Sequence, residues 1–314
     1  MAHRRALTML AGGVGAAKFL RGLLRVAEPA ALTIIVNTGD DERFFGLAVS
    51  PDLDTITYTA AGVANPRFGW GIRGDSFQCL EALGRYYPET WFQLGDRDLA
   101  THLYRTERLA AGARLSTVTA EICGAFGVAV RVLPMTNDPV RTVLETADGA
   151  LPFQDYLVRR KARPAVRRIR YVGAACARPA PGVLAAIRDA DAVIIAPSNP
   201  LLSIGPMLAM SAVRRALEAR RRPTVGVSPL VGGRAPSGPL ARQLRRLGLP
   251  PSSLGIAACY RPFLSALMID RRDRADAAAL EAAGCHAIVA DTVFTTTPRA
   301  ARAARRMLTA LDLA

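Results

Sequence analysis

Apolar residues along this chain come in short blocks separated by glycine- and aspartate-rich turns, and their order predicts alternating strands and helices. Ala6–Ala11 is a short apolar run followed by Gly12-Gly13-Val14-Gly15, after which Phe19, Leu20, Leu23 and Leu24 recur at helical spacing. That is the pattern of strand, glycine turn and helix. Leu32–Val36 is a β-branched run ending in Asn37-Thr38-Gly39-Asp40-Asp41. It completes a right-handed βαβ unit whose polar loops lie at the carboxyl ends of its strands, the edge at which open α/β sheets bind ligands.

From about residue 52 to 125 the pattern is mainly helical, broken by loops at Gly69–Asp75 and Gly95–Asp98, which predicts a helical insertion or cap. Strand-like runs return at Val128–Leu133, Ile169–Val172, Ala192–Ala196, Thr224–Val227, Gly255–Cys259 and His286–Val289. Helical stretches at Pro206–Arg220, Pro239–Leu247 and Arg274–Ala283 interleave with them. The expected fold is α/β: a Rossmann-like, mostly parallel doubly wound sheet with a helical insertion, in a single domain over residues 1–314. No run approaches the eighteen or so apolar residues of a membrane span. The early arginines and apolar run superficially suit a signal peptide, but the glycines then open an amphipathic segment with Lys18 and Arg21, so a soluble cytoplasmic protein is expected.

Charge adds a question to this picture. The chain carries 41 Lys plus Arg against 26 Asp plus Glu, a net of +15, and only Lys18 and Lys161 are lysines. Residues 1–100 sum to −1 and the remainder to +16, so the excess lies outside the first loops. A basic chain invites a nucleic-acid reading. The arginine runs, such as Arg167-Arg168 and Arg220–Arg222, are scattered and accompany no helix-turn-helix, zinc-finger or RNA-binding sheet motif, so they read as solvated surface. The five cysteines form no CxxC or knuckle spacing and are expected to be reduced, mostly buried thiols.

Four groups of residues carry candidate chemistry. Glycines 12, 13 and 15 let the backbone approach an anion closely and present N–H groups at a helix start; a structural turn would use them equally well. The loop is not a P-loop, because Lys18 lies between Ala17 and Phe19, and it lacks the third small residue of a dinucleotide fingerprint. Asp40 and Asp41, followed by Ser50-Pro51-Asp52-Leu53-Asp54-Thr55, concentrate carboxylates beside that loop. Such carboxylates repel a phosphate unless a divalent cation bridges the two; alternatively Asp40 and Asp54 cap a turn and a helix. Gly69–Asp75, with Trp91, Gln93, Gly95–Asp98 and His102, combines flat apolar faces with hydrogen-bonding groups, as a planar heteroaromatic ligand requires; isolated tryptophans also serve as core anchors. Pro197-Ser198-Asn199-Pro200 is a strand-to-helix junction of the kind that holds phosphate, or a plain turn.

Taken together and in this order, these motifs resemble the 2-phospho-L-lactate transferase family, which builds the deazaflavin coenzyme F-420. The resemblance extends through Trp70-Gly71-Ile72, Leu94–Asp98 with Ala100-Thr101-His102, Pro134–Asp138 and Ser203–Pro206, and so covers essentially the whole chain. It implies a Mg²⁺-dependent enzyme, usually a homodimer, acting on small molecules. The donor would be a guanosine diphosphate ester of lactate, enolpyruvate or a glyceryl equivalent, and the acceptor the 8-hydroxy-5-deazaflavin Fo. The terminal ribityl hydroxyl of Fo would attack the phosphorus bearing the acid, releasing GMP. By matching motif, Asp54 is the expected catalytic residue and contacts the deazaflavin with Gln93, which stands where some members carry Lys. Gly12, Gly13, Gly15, Asn37, Ser198 and Asn199 fall on the guanine-nucleotide side, and Asp41, Asp40 and Asp54 are the expected metal ligands. Two other readings stand beside it: a nucleotide-sugar-binding regulatory protein sharing the core, and an NAD-dependent oxidoreductase, which Lys18 disfavours.

Overall fold

The computed structural model describes residues 5–236 and 238–313. The chain opens with β1 (Leu7–Ala11), α1 (Gly13–Leu23) and β2 (Leu32–Val36), then a hairpin of β3 (Glu42–Phe44) and β4 (Leu47–Val49). Four helices follow: α2 (Pro51–Ala60), α3 (Gln78–Leu83), α4 (Asp96–Ala110) and α5 (Leu115–Ala125). After β5 (Arg131–Pro134) come β6 (Arg141–Thr146), β7 (Gly149–Pro152), a π-helical turn at Asp155–Arg159, and β8 (Val166–Val172). The second half alternates α6 (Val183–Asp189), β9 (Ala192–Ile195), α7 (Gly205–Leu208), α8 (Ser211–Glu218), β10 (Thr224–Val227), α9 (Leu240–Arg246) and α10 (Ser253–Cys259). It closes with β11 (Ala266–Asp270), α11 (Ala277–Ala282), β12 (His286–Ala290) and α12 (Thr297–Ala310).

Seven strands form one parallel sheet in the order β12-β11-β10-β9-β1-β2-β5. The order reverses at β1, which pairs with β2 on one side and, from Leu7↔Ala192 to Leu10↔Ile195, with β9 on the other. Such a reversal leaves a crevice beyond the strand ends, and the loops after β1 and β9 line it. Strand residues alternate between two apolar layers. Met9, Ile34 and Ile194 pack with α1, α2 and α12, while Leu10, Ile35 and Ile195 pack with α6, α8, α9 and α10. Both faces are therefore covered, which is why these strands read as unbroken apolar runs. Helix α12 closes directly on α1: a Cβ on Gly22 would lie 2.2 Å from the carbonyl carbon of Ala300.

Several expectations are corrected. Gly255–Cys259 is helix α10, not a strand; the sheet position is taken by β11 instead. A five-residue block of small apolar residues fits either state, and here Gly255 abuts the backbone, its Cβ direction meeting the Pro250 oxygen at 1.9 Å. Ile169–Val172 belongs to β8, which lies outside the parallel sheet in a separate antiparallel sheet of order β7-β6-β8. The helical region is only partly a cap, since Leu53 and Ile56 place α2 in the main core. Of the five thiols, Cys123 and Cys285 are buried, Cys259 half-buried, and Cys79 and Cys176 exposed, so burial is not the rule among them. Among the described residues, no helix is long and apolar enough to cross a membrane.

Candidate active site

A cavity of about 660 Å³ opens over the carboxyl ends of β1, β9, β10 and β12. Its lining includes Gly12, Gly13, Gly15 and Lys18 with Pro197, Ser198 and Asn199, and also Trp70, Gly71, Phe92 and Gln93. Asp40, Asp52 and Asp54 also line it, with Phe153, Gln154 and Leu157 delivered from the small antiparallel sheet and its π-helical turn.

The glycine loop is shaped by packing. Gly13 has φ +73°, a Cβ on Gly15 would fall 2.2 Å from the Pro197 oxygen, and one on Gly12 would fall 2.7 Å from Asp52 Oδ2. Ser198 Oγ donates to the Gly12 carbonyl at 2.7 Å, fastening the two βα turns together. The Gly13 N–H donates to Asp52 Oδ1 at 2.6 Å, so one donor of the loop is already spent on a carboxylate of the chain itself. Asn199 is similarly occupied: Oδ1 accepts from the N–H groups of Leu201 and Leu202, and Nδ2 donates to Gln243 Oε1 at 3.1 Å. Asn37 is 1% exposed and stands behind the wall, where Nδ2 donates to Asp40 Oδ1 (3.1 Å) and Asp52 Oδ2 (3.0 Å). Asn37, Ser198 and Asn199 thus frame the loop and the acidic corner.

That corner gathers the buried Asp40, Asp52 and Asp54 with the half-buried Asp41. Burial, with the charges of Asp52 and Asp41, pushes the Asp40 carboxyl well above its ordinary range. Burial likewise raises Asp41 to about 8, against the Ser50 hydrogen bond, and Asp52 to about 6, against donors from Asn37 and Gly13. Gln154 Nε2 donates to Asp40 Oδ2 at 3.3 Å. Asp41 does not reach the cavity: its Oδ2 accepts from Ser50 Oγ at 2.8 Å, and its buried Oδ1 has no partner.

Asp54 differs from its neighbours in having a buried cation. Arg105, on α4, grips it with both terminal nitrogens, Nη1 on Oδ2 at 3.2 Å and Nη2 on Oδ1. His102 Nδ1 lies 3.2 Å from Arg105 Nη1, and His102 Nε2 lies 3.4 Å from Asp98 Oδ2. Tyr58 donates to Asp98 Oδ1 at 2.5 Å. Burial works against the Asp98 charge, but His102, Tyr58 and Arg105 outweigh it and hold the carboxyl below its usual range. Ligand-capable atoms of Asp54, Asp98 and His102 lie within 4.8 Å of one another. Among the described residues, the expected trio Asp40, Asp41 and Asp54 forms no such compact set.

The aromatic wall divides in two. Trp70, stacked on Phe68, and Phe92, stacked on Phe44 at 3.8 Å, face the cavity beside Gln93. Trp91 packs edge-on against Phe44 and Phe92 and anchors a small core cluster.

A family model described as 2-phospho-L-lactate transferase CofD matches residues 7–302. The chain belongs to the 2-phospho-L-lactate transferase family. A protein of Methanosarcina mazei named 2-phospho-L-lactate transferase is 38% identical over 93% of this chain and 96% of its own length. One of Streptomyces griseus named phosphoenolpyruvate transferase is 42% identical over 96% and 97%. A crystal structure of a UPF0052-family protein from Bacillus halodurans superposes with a TM-score of 0.59 at 16% identity, over 92% of this chain and 93% of that one, which speaks for the fold.

Within this transferase family fold, the residues that sequence reasoning missed are Arg105, Tyr58 and Gln154. Arg105 is the bulkiest fully buried side chain described, yet it sits in Asp96–Ala110, a helix whose many charged positions suggest a solvated face. Its one signal is spacing, since His102 and Arg105 fall on one helical face with Asp98.

Proposed function

We propose that the protein transfers a phosphorylated three-carbon acid from a guanosine diphosphate ester to the terminal ribityl hydroxyl of the deazaflavin Fo, releasing GMP. One observation carries this reading: the glycine loop, the carboxylates of Asp40, Asp52 and Asp54, and the aromatic residues Trp70 and Phe92 all line a single cavity. The nucleotide would lie along Gly12–Gly15 and the Pro197–Asn199 turn, and the flat deazaflavin against Trp70, Phe92 and Gln93. In the transfer, the hydroxyl oxygen bonds to the acid-bearing phosphorus and the bond from that phosphorus to the GMP oxygen breaks. Asp54 accepts the hydrogen bond of the attacking hydroxyl, since each carboxylate oxygen keeps acceptor capacity beyond its bond to Arg105.

The acidic corner suits Mg²⁺. The buried carboxylates of Asp40, Asp52 and Asp54 are gathered where one buried guanidinium, bonded to Asp54, is the cation at hand, and the buried Oδ1 of neighbouring Asp41 is left without a partner. Asp40 and Asp54, which line the cavity, would hold the cation, and it would supply positive charge to offset that of the phosphate oxygens; Asp41, outside the cavity, would back the corner rather than ligate there. We favour the enolpyruvyl ester as donor, supported by relatives named phosphoenolpyruvate transferase at 41–43% identity against 34–38% for those named 2-phospho-L-lactate transferase.

Incubation with Fo, Mg²⁺ and either GDP ester, following GMP release and the mass of the deazaflavin, tests the reading. Product is expected, faster with the enolpyruvyl donor, and Asp54→Asn should lower turnover by about 100-fold or more. Folded protein that makes no product with any donor, or that binds a UDP-sugar more tightly than GDP, overturns it.

A further inference from the structure

We propose that Arg105 is a positioning residue of this transfer, fixing the carboxylate plane of Asp54 from behind without reaching the cavity. The inference rests on the reading that Asp54 orients the acceptor hydroxyl. The Arg105 side chain is 2% exposed and is absent from the cavity wall, whereas Asp54 and His102 line it. Its guanidinium meets acceptors from three separate elements: both oxygens of Asp54 on α2, Nδ1 of His102 on α4, and the carbonyl of Ala48 on β4 at 3.3 Å. Its Nε is buried without a partner. The fork is therefore seated to serve Asp54 and not to satisfy all of its own donors.

The choice of arginine matters. The terminal torsion of an aspartate is soft, and a lone ammonium would attract the carboxylate without setting its rotation. A planar fork with two parallel N–H groups sets both. The lone pairs that Asp54 does not give to Arg105 then have a fixed direction at the point where the hydroxyl must be held. Because Arg105 also bonds Ala48 and approaches His102, the hairpin and the cap helix are both tied to the orientation of that one carboxylate.

The test uses the full chain with Fo and the donor that turns over. In Arg105→Lys, kcat should fall about 30- to 100-fold, the loss expected of a misplacement near 1 Å, while both KM values and Fo affinity by fluorescence stay within about threefold. A purely structural role would reduce the folded fraction and leave kcat per folded molecule intact. Because Arg105 acts through Asp54, adding Arg105→Lys to Asp54→Asn should cost less than about threefold more in single-turnover rate. Where Arg105→Lys alone folds poorly, Asp54→Asn/Arg105→Gln removes both charges together and is compared with Asp54→Asn in the same way. Wild-type turnover with an unimpaired Arg105→Lys, or additive losses in the double variants, overturns the inference alone. Wild-type protein that forms no product overturns the proposed reaction and the inference with it.

Discussion

Asp75 and Asp96 cap each other's helices. The Asp75 carboxylate accepts from the N–H groups of Arg97 (2.8 Å) and Asp98 (3.1 Å) at the start of α4, while Asp96 accepts from those of Gln78 (3.0 Å) and Cys79 (2.9 Å) at the start of α3. Gly95 makes room, since a Cβ there would lie 2.2 Å from Asp75 Oδ2. Both aspartates are thus spent on helix ends, and the wall residues Phe92 and Gln93 hang between the capped helices. Asp75→Ala should lower stability by about 1–2 kcal/mol in a denaturant titration. It should also weaken deazaflavin binding while leaving GDP affinity unchanged. Equal weakening of both ligands would count against a locally held wall.

Two glycine substitutions should act in opposite directions. Gly15→Ala drives a methyl group into the Pro197 carbonyl, so it should lower the melting temperature sharply and abolish GDP binding. Gly124→Ala, inside α5 with open space around it, should stabilise the protein by about 0.5–1 kcal/mol. Calorimetry on the two variants decides the matter; a harmless Gly15→Ala would mean the α1 start does not pack against the Pro197 turn as described.

The acidic corner gives a pH dependence with a definite sign. Asp41 moves from 3.8 to about 8 on folding and Asp52 to about 6, so the folded chain favours their protonated forms. Their contribution to stability is whole below pH 3.8 and is lost as pH climbs through those raised values. Chelated protein should therefore melt at lower temperature near pH 8 than near pH 5.5, and Asp41→Asn should flatten that slope. Added Mg²⁺ should raise the melting temperature more at the higher pH, because there it no longer competes with protons. An equal shift at both pH values would argue against cation binding in this corner.

Thiol labelling offers a check on the fold itself. Native protein should alkylate quickly at Cys79 and Cys176, which are exposed, and slowly at Cys123, Cys259 and Cys285. Burial pushes Cys259 and Cys285 up to about 11 from 9.0, so each holds almost no thiolate at neutral pH. Mass spectrometry of partially labelled protein should find the slow three only after unfolding; early modification of Cys285 would displace β12 from its place in the sheet.

The first βαβ unit was legible because β1 and β2 are buried on both faces and so appear as apolar runs, with their glycine and aspartate loops intact. The small sheet was not. In β6 the inward positions are Thr142, Leu144 and Thr146, and a strand that buries threonines shows little apolar alternation. Gln154, which follows that sheet into the cavity, was hidden for the same reason. Helix α12 is built mostly from alanine and arginine and carries no loop of interest, yet it packs Ala300, Ala303, Ala304, Met307 and Leu308 into the main core. In the site, the residues that face the ligand space, such as Asp54, Gln93 and the glycines, lie in short motifs readable as such. The residues that hold them, Arg105 above all, depend on contacts across 51 positions of sequence that no local pattern encodes.

The closure of α12 on α1 joins two segments far apart in the sequence, Gly22 meeting Ala300. The loop at residues 12–15 is made well before residues 297–310, so the helix that supports it lacks its cover of Ala300, Ala303, Ala304 and Met307 until β12 and α12 have been added. A chain cut short before residue 297 therefore leaves the face of α1 around Gly22 uncovered, and with it the support of the glycine loop, open to whatever apolar surface it meets.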